Sequence, residues 1–142
     1  MRSAFLEQNS GATAGVKKKV VNVDAAITLT NDDSGKVYML SATGGTVAVT
    51  LPTSLEDGVY YKFIVEEETP SNAITIAAGS AIVSLVMKDA GGNASNSTAG
   101  TQVSNLIIGT SAEKGDYINL MAAGGEWVGE CLSGIDNAVT TS

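Results

Sequence analysis

The residue types that perform most enzyme chemistry are scarce in this chain. It contains no histidine, and Cys131 is the one cysteine among its 142 residues. Histidine is the usual general base and the commonest metal ligand, and ordinary zinc sites combine several histidines or cysteines. The sequence also contains no glycine-rich phosphate loop ending in Lys-Ser or Lys-Thr, and no Gly-x-Ser-x-Gly nucleophile motif. It therefore predicts a protein that is not an enzyme and that uses no cofactor and no metal.

Carboxylates are the remaining candidates for chemistry, and they occur in three short runs, Asp32-Asp33, Glu56-Asp57 and Glu66-Glu67-Glu68. A glycosidase needs two carboxylates that face each other across a cleft, about 5–10 Å apart. Adjacent acids in turns usually face water instead, and this is our interpretation of the three runs. A calcium site on the first run or on Asp89 is a less favoured alternative, because oxygen ligands cluster in loops but the spacing fits no known loop pattern.

Aromatic residues offer a possible binding surface. A platform on which sugar rings stack is one interpretation, but aromatic residues in strand-like stretches more often belong to a core or to a subunit interface. Cys131 lies in a similar stretch, so we interpret it as a small buried apolar residue rather than a reactive thiol. The aromatic residues concerned are Tyr38, Tyr60, Tyr61, Tyr117 and Trp127.

The elements that must position these residues are short strands. Apolar and polar residues alternate with a period of two, and turn residues separate the alternating runs. In residues 59–66, for example, Val59, Tyr61, Phe63 and Val65 share one face. Without any helical period, this pattern predicts an all-β, single-domain antiparallel β-sandwich, jelly roll or small barrel. The predicted strands are 16–23, 26–30, 36–40, 46–51, 59–66, 73–76, 81–87, 102–108, 116–121 and 126–132.

Charge divides the chain. Residues 1–20 carry four basic residues and one acid, a net charge of +3, whereas residues 21–142 carry four lysines and fourteen acids, a net charge of −10. We predict a basic N-terminal arm (1–20), a β domain (21–132) and a polar C-terminal tail (133–142). The acidic body argues against nucleic-acid binding, since phosphate neutralisation needs a basic face.

With no apolar run of about 18 residues, no membrane span is predicted, and synthesis in a cytoplasm is expected.

Several strand-and-turn signatures resemble one family. The segment Thr28 to Leu40, with Asp33-Ser34-Gly35-Lys36 inside it, precedes Gly44-Gly45 and then Val49-Thr50-Leu51-Pro52. Further signatures are Gly58-x-x-Tyr61-x-Phe63-Ile64-Val65, Gly115-Asp116-Tyr117 and Gly124-Gly125-x-Trp127. Together they resemble the small head decoration, or cement, proteins of tailed bacteriophages. The resemblance covers roughly residues 26–132, is weak between Ala78 and Gly100, excludes the N-terminal arm and includes no catalytic residue.

This resemblance implies a β-rich virion subunit, commonly a homotrimer. It would sit on the outer surface of the phage head, where subunits of the major capsid protein meet, and would stabilise the capsid by bridging them, with no small-molecule substrate. We further hypothesise that the basic arm binds the capsid or a neighbouring protomer. A carbohydrate- or receptor-binding module of a tail fibre or baseplate is the alternative. The proposed contact residues of the arm are Arg2, Phe5, Leu6, Lys17, Lys18 and Lys19.

Overall fold

The computed structural model describes residues 17–81, 83–91, 94–96 and 103–142. Within these residues the chain forms twelve strands and one short 3-10 helix, so the predicted all-β class is confirmed. The 3-10 helix, Asn31–Asp33, lies between the predicted strands 26–30 and 36–40. The strands are β1 (Val20–Val23), β2 (Ile27–Thr28), β3 (Val37–Leu40), β4 (Val47–Thr50), β5 (Tyr60–Val65), β6 (Ile74–Ala77), β7 (Val83–Lys88), β8 (Ala94–Asn96), β9 (Asn105–Ile108), β10 (Tyr117–Ala123), β11 (Glu126–Leu132) and β12 (Val139–Thr141).

The strands form two sheets. The larger sheet has seven strands in the order β1-β3-β5-β10-β11-β7-β8, and the smaller sheet has five in the order β12-β9-β6-β4-β2. Along the larger sheet, alternate residues are buried, as in β5, where Tyr61, Phe63 and Val65 are buried and Tyr60 is exposed. This period-two pattern gives each sheet one face toward the core and one face away from it.

The first six strands wind between the two sheets. Strands β1, β3 and β5 are parallel neighbours in the larger sheet, and β2, β4 and β6 are parallel neighbours in the smaller one. The chain therefore makes three successive turns, as in a short β-helix, before β9, β10 and β11 add antiparallel pairs. Of the ten pairs in the described residues, half are parallel, so the predicted antiparallel arrangement holds only for the other half. A crossover through the opposite sheet makes parallel pairing possible without helices.

Aromatic rings fill part of the core on the inner face of the larger sheet. The ring of Tyr38 stacks on Phe63 with a centroid separation of 5.6 Å, and Tyr61 lies 5.5 Å from Trp127. Offset and tilted arrangements at these distances are favourable for aromatic pairs. The core interpretation is thus confirmed for Tyr38, Tyr61 and Trp127, all of which are buried.

Two glycines make the hairpin between β10 and β11. Gly124 and Gly125 have φ values of 63° and 85°, and a two-residue turn of this kind requires positive φ at both positions. The hairpin brings Trp127 of β11 opposite Ala122 of β10. This turn fixes the register at the centre of the larger sheet.

The structure differs from the predicted strands in three segments. The predicted strand 16–23 corresponds to β1, which begins at Val20 and forms one edge of the larger sheet. Strand β8 lies between the predicted strands 81–87 and 102–108, where no strand is predicted. Strand β12 lies inside the predicted tail 133–142 and pairs with β9, and Ala138 and Val139 are buried. The last ten residues are thus part of the β domain rather than a tail outside it.

Candidate protein-binding face

Two of the carboxylates considered for catalysis, Asp33 and Asp57, have structural partners. The Asp33 carboxylate accepts hydrogen bonds from the backbone N–H and hydroxyl of Thr30, at 2.9 and 3.0 Å, and pairs with the Lys36 ammonium. The bond from Lys36 is the largest reason why the pKa of Asp33 is lowered, and the backbone bond from Thr30 is the next. Asp57 accepts a bond of 3.0 Å from the backbone N–H of Gly124 in the β10–β11 turn. Both acids therefore fix local structure.

Glu67 departs from the expectation that the third acidic run faces water. Both of its carboxylate oxygens are shielded from solvent, and neither has a hydrogen-bond partner within the described residues. Among those residues there is also no cluster of three or more side chains suited to hold a metal ion. A single shielded carboxylate supplies neither the second carboxylate of a glycosidase nor the ligand set of a calcium site.

Sequence reasoning missed the role of Asp116. This buried carboxylate accepts bonds from the Ser133 hydroxyl at 2.9 Å, the Gly134 N–H at 2.7 Å and the Glu113 N–H at 2.9 Å. It thereby joins the start of β10 to the segment that follows β11. An acid directly after Gly115 signals a turn in the sequence. Two of its three partners, Ser133 and Gly134, lie 17 and 18 positions further along the chain, and no local pattern identifies them.

Cys131 behaves as a small apolar residue. It is buried and forms no disulfide, and burial raises the pKa of its thiol to about 12, with Asp116 contributing. Because the thiolate is the reactive form, such a thiol is chemically inert near neutral pH. The sequence-based interpretation of Cys131 is confirmed.

The surface that remains as a candidate site is the outer face of the larger sheet, here called the outer face. Strand register places its side chains in three rows. The first row is Tyr60, Met121, Val128 and Ser84. The second is Val20, Val37, Lys62, Asn119, Glu130 and Val86. The third is Asn22, Met39, Ile64, Tyr117, Leu132 and Lys88.

Exposed apolar side chains concentrate on the outer face. The large hydrophobic residues that are exposed within the described residues all belong to its three rows: Val20 (58%), Val86 (53%), Met121 (44%), Leu132 (43%) and Tyr60 (40%). Single exposed apolar residues are ordinary, whereas several on one face indicate an interaction surface. The outward side of the smaller sheet differs, because its exposed positions carry small or polar residues such as Thr28, Ala48 and Thr140.

Polar groups cross the outer face in its middle row. The Asn119 amide donates a bond of 3.2 Å to the Glu130 carboxylate, and Lys62 lies in register on the other side of Asn119. These three residues also line an open depression of about 810 Å³, whose walls further include Tyr60, Val86, Met121, Leu132, Lys18 and Lys88. The outer face thus combines exposed apolar side chains with a few fixed polar groups, which is the composition of a protein-binding surface.

Two lysines lie against aromatic rings on this face. The Lys18 ammonium is 5.2 Å from the centroid of the Tyr60 ring, and the Lys62 ammonium is 4.7 Å from that of Tyr117. Both distances are within the range of a cation–π interaction. Lys18 is the predicted contact residue that the structure brings to the outer face. Lys17 and Lys19 are exposed beside it, while Arg2, Phe5 and Leu6 lie outside the described residues.

Three of the five aromatic residues considered for sugar binding are inaccessible to a ligand. Tyr38, Tyr61 and Trp127 are buried in the core and present no ring to a ligand. Tyr60 and Tyr117 remain on the outer face, but each has a lysine over its ring. A continuous aromatic platform is therefore not formed by these five residues.

Comparison with known proteins identifies no family for this chain, since no family model matches it and the search of curated proteins finds no similar sequence. Within the described residues, no helix has the length and apolar character needed to cross a membrane.

Proposed function

We propose that this chain is a non-catalytic structural protein that binds other protein subunits through the outer face, and that it serves as a decoration protein on the head of a tailed phage. The observation that carries the proposal is the gathering of exposed Val20, Tyr60, Val86, Met121 and Leu132 on one side of one sheet. The resemblance of residues 26–132 to head decoration proteins supplies the particular role.

The physical demands of that role agree with the proposed surface. Packaged genome pushes a capsid outward, and a subunit that spans several capsid proteins resists their separation. A specific contact of this kind buries about 800 Å² on each partner. In a trimer, the second and third contacts become effectively intramolecular, so three modest contacts combine into tight binding. Lys18 reaches the outer face from the proposed basic arm, which supports a joint role for the arm and the face.

The proposal is tested by introducing a negative charge on the outer face and, as a control, on the exposed side of the smaller sheet. Met121→Asp and Leu132→Asp alter exposed positions of the outer face, whereas Thr140→Asp alters an exposed position on the smaller sheet. Mass measurement of the purified chain, alone and with expanded DNA-free heads of the phage that encodes it, reports trimer formation and head occupancy together. We expect both outer-face variants to weaken head binding by about tenfold or more and Thr140→Asp to leave it unchanged.

The proposal also requires that the three variants keep the stability of the wild-type chain. All three variants should unfold within about 0.5 kcal/mol of the wild-type chain, because the altered side chains are exposed. Heads that take up no wild-type protein, or that bind all variants equally, would contradict the proposal. Specific binding to a glycan array in place of heads would instead assign the chain to receptor recognition.

A further inference from the structure

The charged residues that line the depression of the outer face are opposite in balance to those of the whole chain. They are three lysines, Lys18, Lys62 and Lys88, and one carboxylate, Glu130. The whole chain has 8 basic and 15 acidic residues and a net charge of −7. Within the described residues, positive charge and exposed large hydrophobic side chains therefore occur together on the outer face.

The carboxylates of the outer face do not neutralise its lysines. Glu130 accepts its bond from the Asn119 amide, and Glu126 accepts one of 2.8 Å from the Ser84 hydroxyl. Lys18, Lys62 and Lys88 form no ion pair with any carboxylate of the described residues, although Lys36 does with Asp33. The three ammonium groups are therefore available to an anionic partner.

Two of these ammonium groups are also held in place. Contacts with the rings of Tyr60 and Tyr117 keep Lys18 and Lys62 beside the apolar surface rather than extended into solvent. A cation that is already positioned loses less conformational entropy when its partner binds. The alternative role of such lysines is to prevent edge-to-edge pairing of sheets, but Lys62 lies on β5, which is paired on both sides.

We propose that the outer face binds a protein surface that bears apolar side chains flanked by carboxylates, and that Lys62 and Lys88, together with Lys18, select this partner by charge. This inference rests on the proposed function for its biological setting. Three lysines interspersed with Met121, Val86 and Leu132 present positive charge beside apolar contact area, which suits a partner that is both apolar and acidic. A polyphosphate strand or an anionic membrane would meet too few cations here and would be repelled by the acidic body.

The test uses matched charge reversals in the full chain. Lys62→Glu and Lys88→Glu reverse charges on the outer face, and Lys114→Glu makes the same change at an exposed turn before β10. The first probe is a helical peptide whose leucine stripe is flanked by glutamates, and the second is its counterpart with lysines in their place. NMR shifts of the Met121 methyl group and of the outer-face amides report binding.

We expect the glutamate peptide to bind the wild-type chain and the Lys114→Glu variant with equal affinity. Its affinity for the Lys62→Glu and Lys88→Glu variants should be lower by about tenfold or more. Its affinity for the wild-type chain should fall as the salt concentration is raised. We expect little binding of the lysine peptide. Equal binding of the two peptides, or unchanged binding by the outer-face variants, would overturn the inference. Equally tight binding of phosphatidylserine vesicles or of duplex DNA would overturn it too, in favour of a lipid or nucleic-acid partner.

Expanded heads separate this inference from the proposed function. Heads that bind the wild-type chain and the Lys62→Glu and Lys88→Glu variants equally would reject selection by charge while leaving decoration in place. Heads that bind no protein, while the glutamate peptide binds the outer face, would reject decoration and support an acidic protein partner of another kind. The salt dependence of head binding by the wild-type chain tests selection by charge without any variant.

Discussion

Two buried tyrosines show how much the environment of one hydroxyl group matters. Tyr38 on β3 and Tyr61 on β5 lie in neighbouring strands, and their ring centroids are 6.1 Å apart. The Tyr61 hydroxyl donates a bond of 2.6 Å to the carbonyl of Thr30, whereas the Tyr38 hydroxyl is shielded from solvent without a partner in the described residues. A buried hydroxyl stabilises the fold only when its hydrogen bond is made.

We therefore expect opposite results from the same substitution at these two positions. Tyr61→Phe removes a hydrogen bond and should lower the free energy of unfolding by about 1 kcal/mol, while Tyr38→Phe removes an unpartnered group and should leave it unchanged or raise it by up to about 1 kcal/mol. Urea titration of the wild-type chain and both variants measures the difference. A Tyr38→Phe variant as destabilised as Tyr61→Phe would mean that the Tyr38 hydroxyl has a partner.

At the scale of the element, local alternation predicted the strands but not their partners. The pattern of residues 59–66 placed Tyr61, Phe63 and Val65 on one face, and all three are buried in β5. Which strands lie beside β5 depends on contacts distant in sequence, as in the parallel pair of β3 with β5. Neither the three-turn winding nor the meeting of Tyr60 with Met121 on the outer face follows from any local pattern.

Strand β12 has a local reason for being missed. Strand β12 has three residues, and Val139 is its one buried position, too short a run for a period of two to be recognised. It is nonetheless held at both of its ends, because Gly109 donates to the Ala138 carbonyl at 2.8 Å and Ser142 donates to the Asn105 carbonyl at 3.1 Å. Pairing with β9 rather than its own sequence makes this segment a strand.

We accordingly expect β12 to be required for stability. Val139→Asp places an unpartnered carboxylate in the core and should lower the free energy of unfolding by about 3 kcal/mol or more, whereas Thr140→Asp, on the exposed side of the same strand, should change it by less than about 0.5 kcal/mol. Chemical denaturation of both variants makes the comparison. Two variants of equal, near wild-type stability would mean that the last residues do not contribute to the core.

At the scale of the whole molecule, the groups that titrate inside the core set the pH range of stability. The chain has no histidine, so no side chain with an ordinary pKa titrates between about pH 5 and 8. Burial raises the pKa of the Cys131 thiol from 9.0 to about 12 and that of Tyr38 from 10.0 to about 12, and it also raises the pKa of Tyr61. Each of these groups is neutral when protonated, so the folded state retains protons that the unfolded state releases.

The stability of the fold should therefore be level near neutral pH and fall in alkali. Above the unfolded pKa of the thiol, the unfolded chain binds fewer protons than the folded one, so the free energy of unfolding decreases as pH rises, by up to about 1.4 kcal/mol per pH unit for each group. Cys131→Ala removes the first of these groups and should move the onset of the decline from near pH 9.0 to near 10.0, where the tyrosines begin to titrate. Its smaller side chain lowers stability equally at every pH, which shifts the curve without changing its shape. Urea titrations at several pH values across this alkaline range measure how steeply the free energy of unfolding falls with pH. If the wild-type chain and the Cys131→Ala variant had identical slopes between pH 9.0 and 10.0, the thiol would not be buried in the folded state.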